Sequence, residues 1–495
     1  MKSLKKYPIV LIAILLIATL FRLWRIDEYL PFLGDEGRDV RVVTRFLKDF
    51  DLMFIGPRTS IGDMYLGPLY YYFIAPWLGI FNFSPTGPAV SVALTGIATI
   101  GFIYYVAKEW FGKTAAIVSS FLYAISPTVI NLSKHSWNPN IMPFFALLCV
   151  YSMWRVWKHK EYKWLLVAVV SFAFVLQSHY LGLLLLPTLG ILWVLGLLDV
   201  RSKSHVRSRF FVLSFLSFCV FLILMSPLFL FDIKHNWQVT RSMTVFFTHR
   251  QETISARPWN AIPDIWPLWR NNVVTDLLTG MQKGVLPLIA ALSTAIYSVQ
   301  YVWRNKRRLN PGVLTILWIA VGMIGLGSLK QNIFSHYFGF LFPAPFLLLG
   351  SMTQSLWGKF KWVVIASVAI LAFFSLMNNP LKNPPQRQMQ RVQEIDRKII
   401  EESGGKPFNF GLVAEKNYDE GYLYFFELWK APAKQADPQH PQESVTDQLF
   451  VVCENLPCNP TTSSKAEIAH FGPSKIETEW EIGGFKLYKL SHNSL

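Results

Sequence analysis

Asp35 and Glu36 are adjacent carboxylates, Arg38 follows two residues later, and all three come just after the first long apolar run of the chain. A carboxylate there has two physical uses. It can take a proton from an attacking hydroxyl that comes within hydrogen-bond reach. Alternatively, Asp35 caps the helix that follows by accepting backbone N–H bonds, a contribution of about 1 kcal/mol. Carboxylates at membrane depth are costly and usually functional. From Asp35 the chain reads DEGRDVRVVTRFLKDF. Val40, Val43, Leu47 and Phe50 fall on one helical face; Arg38, Arg41, Arg45 and Lys48 fall on the other. That pattern predicts an amphipathic interfacial helix whose cations meet lipid headgroups or phosphate, with Asp39 as ordinary surface.

Further polar candidates recur where later apolar runs end. Asp63 and Tyr70 lie in the first long polar segment. Lys134, His135 and Asn138 lie in SKHSWNPN (133–140), His179 and Tyr180 in SHY, Lys234, His235 and Arg241 in FLFDIKHNWQVTR (229–241), and His336 and Tyr337 in KQNIFSHY (330–337). Lysine, arginine and histidine in such places suit a phosphate group. Plain interfacial hydrogen bonding by the histidines, or solvated surface lysines, explains the same residues without chemistry. Trp137, Trp237, Trp266 and Trp269 read as interfacial belt residues before they read as sugar platforms.

The chain has 495 residues, 52% hydrophobic and only 16% charged, where a soluble protein carries about a quarter charged residues. Repeated apolar runs of about 18 residues or more indicate membrane helices. The net charge of +16 does not point to nucleic acid, because the basic residues sit in short loops between apolar runs, as the positive-inside rule requires. Residues 1–24 combine a basic start with a long apolar run and no small-x-small cleavage site, so they are expected to stay as a first helix.

Apolar helices are expected over 7–24, 88–107, 113–132, 139–157, 163–179, 180–199, 209–232, 283–303, 311–329, 337–357 and 360–377, about eleven in all. The run 67–82 is short, aromatic and bounded by prolines. If it does not cross, AKEWFGK (107–113), KHKEYK (158–163), VRSKSHVRSR (200–209), WRNKRRLN (303–310) and GKFK (358–361) all lie on the side of the basic N-terminus. We therefore read 67–82 as interfacial or re-entrant, with Tyr70, Tyr71, Tyr72 and Trp77 at headgroup depth. The N-terminus is then cytoplasmic, and the long loops 25–87 and 233–282 and the tail face outward. The tail reads as a small α/β domain: an amphipathic RVQEIDRKIIEE, three strand-like runs, and Gly483-Gly484 at a hairpin. Cys453 and Cys458 admit a disulfide without requiring one. The expected architecture is an all-α polytopic membrane domain over 1–380, with juxtamembrane helices in its first outer loop, followed by a soluble α/β domain over 381–495.

The Asp-Glu-x-Arg of a first outer loop, followed by the aromatic, proline-containing MYLGPLYYYF (64–73), resembles the membrane glycosyltransferases of the GT-C fold, in particular protein O-mannosyltransferases and lipid A aminoarabinose transferases. The resemblance covers roughly 1–380. It implies inverting transfer of a sugar from a polyprenyl-phosphate carrier to an acceptor hydroxyl on a glycan, lipid or protein at the outer face of the plasma membrane. It implies Asp35 as base, Glu36 orienting a cation or the acceptor, and Arg38 matching the family's arginine. It implies that Asp63, Tyr70, Lys134, His135, Asn138, His179, Tyr180, Lys234, His235, Arg241, His336 and Tyr337 bind the substrate or the lipid phosphate. Gly67 stands where relatives often carry a basic residue, Asn138 where several carry an aspartate, and His336-Tyr337 where Arg-Tyr is usual. No metal is required, since Arg, Lys and His match the leaving phosphate; a divalent ion on Asp35 and Glu36 is the lesser alternative. The competing class is a lipid or polysaccharide transporter or flippase without covalent catalysis, which should carry charged or broken helices near the midplane. A third is a scaffold displaying the tail.

Overall fold

The computed structural model describes residues 6–59, 64–200, 204–248, 255, 257–280, 284–306, 308–437 and 439–493. Among them the chain divides into two compact units: one of residues up to 24, 52–74 and 89–384, and a second of 25–51, 75–88 and 385–495.

The first unit is helical. Among the described residues, five helices are long and apolar enough to cross a membrane: Thr86–Trp110, Tyr180–Val200, Val206–Lys234, Val285–Arg304 and Pro343–Met377. Lys113–Ile125 and Pro127–Ser133 are apolar enough together but bent by 62°, the geometry of a broken span or a re-entrant loop; at the bend the proline lacks the N–H that would carry the ladder through. Ile9–Leu23, Trp164–Ser178 and Pro311–Gly327 are apolar and shorter. The helix Pro343–Met377 is broken at Phe360 (φ −127°, ψ 37°). The break falls at the basic GKFK, between the two runs the hydropathy pattern separates. A helix of 35 residues would be about 52 Å long, well beyond a hydrocarbon core of about 30 Å.

Two expectations are corrected here. Residues 233–282 are not a plain loop. They contain the helix Gln238–Thr248 and a π-helical stretch, Leu268–Thr279, that buries Trp269, Val273, Val274, Leu277 and Leu278. The helix Leu69–Ile80 has 12 residues, about 18 Å, too short to span. Yet Tyr70 and Tyr71 are buried in protein rather than exposed on the surface of the helix. An aromatic run fits a core as well as it fits an interface.

The second unit carries a five-stranded sheet in the order β2-β1-β3-β5-β4, from β1 (Phe408–Val413), β2 (Ala433–Lys434), β3 (Gln448–Cys453), β4 (Ser474–Ile482) and β5 (Phe485–His492). β2, β1 and β3 are parallel; β3, β5 and β4 are antiparallel. Gly483 (φ 57°) and Gly484 (φ 83°) make the β4–β5 turn in the left-handed region that glycine adopts without strain. Cys453 and Cys458 are bonded. The amphipathic stretch is the helix Gln388–Glu402, which buries Val392, Ile395 and Ile399.

Candidate functional site

The acidic pair belongs to the second unit, on the helix Gly34–Asp49. That helix starts where its sequence predicts. The Leu33 N–H donates to Glu36 Oε2 at 2.9 Å, so Glu36 satisfies one of the orphan amides of the first turn. The Gly34 N–H donates to Asn417 Oδ1 at 2.9 Å. Capping thus falls to Glu36, which is buried, and leaves the Asp35 carboxylate for other partners.

Asp35 is partly exposed, with 39% of its side chain accessible. Its Oδ1 accepts from Arg38 Nη1 at 2.8 Å and from the hydroxyl of Tyr418. Arg38 also donates to Asp39 Oδ1, from Nε at 3.0 Å and from Nη2 at 2.7 Å. Asp39 is not surface: it is 1% exposed. Burial pushes its carboxyl up to about 7; Arg38 opposes the shift, while Asp35 and Glu36 reinforce it. Burial raises the Tyr418 phenol well above its ordinary value, with Arg38 opposing and Asp35 adding to the rise, so the hydroxyl stays protonated and serves as a donor.

Three of the four cations of this helix, Arg38, Arg41 and Arg45, are ion-paired within the protein rather than left for lipid headgroups. Arg41 pairs with Glu420 at 2.8 Å and with Glu427, and Arg45 pairs with Glu427 at 2.9 Å. Sequence reading missed these partners because they lie in the tail, on the helix Glu420–Leu428. Two close approaches seat the helices. A Cβ on Gly37 would lie 2.3 Å from the Gly421 nitrogen, and one on Gly34 would lie 2.5 Å from the Tyr418 ring.

In the first unit, three polar segments distant in sequence converge. His135 stacks on Trp137 with ring centroids 5.1 Å apart; Trp137 meets His336 at 4.3 Å; His179 meets Tyr337 at 4.9 Å and His336 at 6.1 Å. Asn138 Nδ2 donates to Ser178 O at 2.6 Å, which ties two of these segments together. Tyr70 and Ser136 share a hydrogen bond of 3.0 Å. Tyr180 donates to the Tyr65 carbonyl; Tyr65 packs on Phe231, which stacks on His235 at 3.9 Å. Trp137 therefore sits inside this cluster rather than in a belt.

His179 Nδ1 accepts the Leu181 N–H at 3.1 Å, and burial holds the imidazole below its ordinary value. His179 is thus a neutral ring with one N–H to offer, not a cation. Lys134 is buried, not surface, and burial with the nearby Arg22 charge brings its ammonium down to about 8. Lys234, His235 and Arg241 are exposed. The acid of their segment, Asp232, holds the start of Gln238–Thr248 by accepting from Val239 N at 2.7 Å and Thr240 N at 3.1 Å. Asp63 lies outside the described residues. At Gly67 the space a side chain would need is filled: a Cβ would lie 2.1 Å from Gln177 Oε1, which accepts the Leu69 N–H at 3.1 Å. Among the described residues, no three His, Cys, Asp or Glu side chains are arranged to hold a metal ion.

Residues 66–231 match the family described as dolichyl-phosphate-mannose-protein mannosyltransferase. A Bacillus subtilis (strain 168) protein named "Putative mannosyltransferase YkcB" is 24% identical over 172 residues, which are 34% of this chain and 23% of that protein; the match therefore spans under a quarter of the relative's length. Among solved structures, ArnT from Cupriavidus metallidurans bound to undecaprenyl phosphate superposes with a TM-score of 0.60 over 98% of each chain at 13% identity. The Archaeoglobus fulgidus oligosaccharyltransferase, in complex with zinc and sulfate, does so with a TM-score of 0.54 over 90% of this chain and 67% of that one at 14% identity. With long apolar helices, and a likeness that runs through the tail as well as the bundle, this chain is a membrane protein with the GT-C fold of integral-membrane glycosyltransferases.

Proposed function

We propose that this protein transfers a sugar from a polyprenyl-phosphate-linked donor to an acceptor hydroxyl at the outer face of the membrane. The observation that carries the reading is the likeness over 98% of the chain to ArnT, a protein solved with undecaprenyl phosphate bound. The family match over 66–231, whose description names a dolichyl-phosphate-mannose donor, supports the same donor class.

In this reading Asp35 accepts the proton of the acceptor hydroxyl as that oxygen attacks the anomeric carbon. The bond to the phosphate oxygen breaks on the opposite face, the polyprenyl phosphate leaves, and the configuration inverts. General-base catalysis of this kind is worth about 10²–10⁴-fold. Arg38 and Glu36 hold Asp35 in place, one by ion pairing and the other by fixing the first helical turn. Lys134 and the ring N–H groups of His135, His179 and His336 are the donors proposed for the leaving phosphate, whose developing charge needs preorganised partners. No step calls for a metal, and the sugar is left open.

Native mass spectrometry of the purified full-length protein tests the donor class. A co-purifying polyprenyl phosphate or its glycoside is expected. Repeated purifications that retain only bulk phospholipid would contradict it.

A further inference from the structure

The side-chain amide of Asn417 holds two backbone groups at once. Its Oδ1 accepts the Gly34 N–H, at the start of the helix Gly34–Asp49, and the Tyr418 N–H, each at 2.9 Å. The first bond fixes the turn that carries Asp35. The second fixes the backbone of the residue whose hydroxyl donates to Asp35. Gly34, Asp35, Asn417 and Tyr418 all belong to the second unit. Asn417 itself lies in irregular chain between β1 and the helix Glu420–Leu428, and its oxygen serves both amides only when the side-chain amide is turned the right way round.

Glu454 decides that orientation. Its Oε1 accepts from Asn417 Nδ2 at 2.8 Å and from the Tyr422 hydroxyl at 2.9 Å. An ionised carboxylate accepts and does not donate, so it faces the NH2 edge of Asn417 and leaves the oxygen for Gly34 and Tyr418. Tyr422 is buried, and burial raises its phenol well above the ordinary value, with Glu454 adding to the rise, so the hydroxyl stays a donor. Glu454 is pinned in its turn. It follows the last residue of β3, its N–H donates to the Val413 carbonyl at the end of β1 at 3.0 Å, and the Cys453–Cys458 bond closes the loop that contains it. Asn455 Oδ1, in the same loop, accepts the Glu415 N–H at 3.0 Å. The disulfide loop thus holds, at two points, the segment that ends in Tyr418.

We propose that Glu454 is a positioning residue for Asp35: by orienting Asn417 it sets the first turn of the helix and the Tyr418 hydroxyl against the carboxylate that takes the acceptor's proton. This rests on the proposed function, in which Asp35 is the base. In the sequence, CENLPC (453–458) reads only as a turn between two cysteines, because a carboxylate there shows nothing of the amide it will face.

The test uses the full-length protein and follows release of polyprenyl phosphate from a polyprenyl-phosphate hexose with a membrane extract as acceptor. Glu454→Ala should lower kcat by about tenfold with the KM for donor unchanged, since a misplacement of about 1 Å at a reacting group can cost about 10²-fold. Glu454→Gln keeps an acceptor oxygen and should restore kcat to within about threefold of the wild type. In an Asp35→Asn background, Glu454→Ala should lower the residual rate no further, because the group it positions is gone. Asn417→Asp keeps an oxygen for Gly34 and Tyr418, leaves the Tyr422 bond in place and sets a second carboxylate against Glu454. It breaks the tie and should lower kcat as Glu454→Ala does, even if Glu454→Ala fails to fold. Hydrogen exchange of the amides at 34–38, read by mass spectrometry, should quicken by about tenfold in Glu454→Ala and Asn417→Asp. In an active protein, folded variants with the wild-type kcat, or an equal fractional loss with and without the Asp35 carboxylate, would overturn the role. Wild-type exchange at 34–38 would overturn it whether or not the protein is active. Faster exchange in a protein that transfers no sugar would keep Glu454 as the residue that places Asp35 and reject the proposed function.

Discussion

Tyr418 reaches Asp35 across 383 positions of sequence. Its ring packs on Gly34 while its hydroxyl and Arg38 share the same carboxylate oxygen. Tyr418→Phe keeps the packing and removes one donor to a charged acceptor, a bond worth about 1.5–3 kcal/mol before water replaces it. At this half-exposed site the expected result is a fall in kcat of roughly tenfold with the KM for donor unchanged; equal changes in both would mark a binding role instead. Asp396, on the helix Gln388–Glu402, is fully buried without a hydrogen-bond partner among the described residues, and burial raises its pKa well above the ordinary value. The folded protein therefore keeps this proton over a pH range in which the unfolded chain has lost it. Stability is present in full below the ordinary carboxylate range and falls as pH rises above it. Asp396→Asn should raise the thermal midpoint at pH 8 by about 3 °C or more and change it little near pH 4. An equal shift at both pH values would contradict that.

The helix Gly34–Asp49 shows what its own sequence could and could not disclose. Its start, its end and its apolar face at Val40 and Val43 follow from spacing alone. Its polar face does not, because Arg41 and Arg45 look alike whether they meet phosphate headgroups or Glu420 and Glu427. Asp39 was misread for the same reason: its cover arrives from elsewhere in the chain. Gly37 is the seat of this packing. Alanine normally improves a helix interior by about 0.5–1 kcal/mol. At Gly37 its Cβ would meet the Gly421 backbone at 2.3 Å and 2.4 Å, which cannot yield as a flexible side chain would. Gly37→Ala should therefore cost about 1–3 kcal/mol, seen as a lower thermal midpoint and earlier proteolytic cleavage at the junction of this helix. A variant as stable as the wild type would show that the helix is seated by something else.

Across the whole molecule, the apolar runs were legible because membrane helices must satisfy their backbones internally over long stretches, and hydropathy sees that length. The hairpin at Gly483-Gly484 and the strands of the tail were legible from alternation and turn chemistry. Residues 233–282 were not: their helices mix polar and apolar residues without a clean period, and burial of Trp269 and its neighbours depends on what packs over them. The convergence of His135, His179 and His336 was hinted at only by their recurrence at helix ends. The central claim is that Asp35 is the base of a transfer from a polyprenyl-phosphate sugar. The direct measurement is release of polyprenyl phosphate from polyprenyl-phosphate hexose by purified protein supplied with a membrane extract as acceptor, comparing wild type with Asp35→Asn. Release by the wild type and a loss of about 10²-fold or more in the variant are expected, with lipid-phosphate binding retained. Wild-type release by a folded Asp35→Asn protein would contradict it.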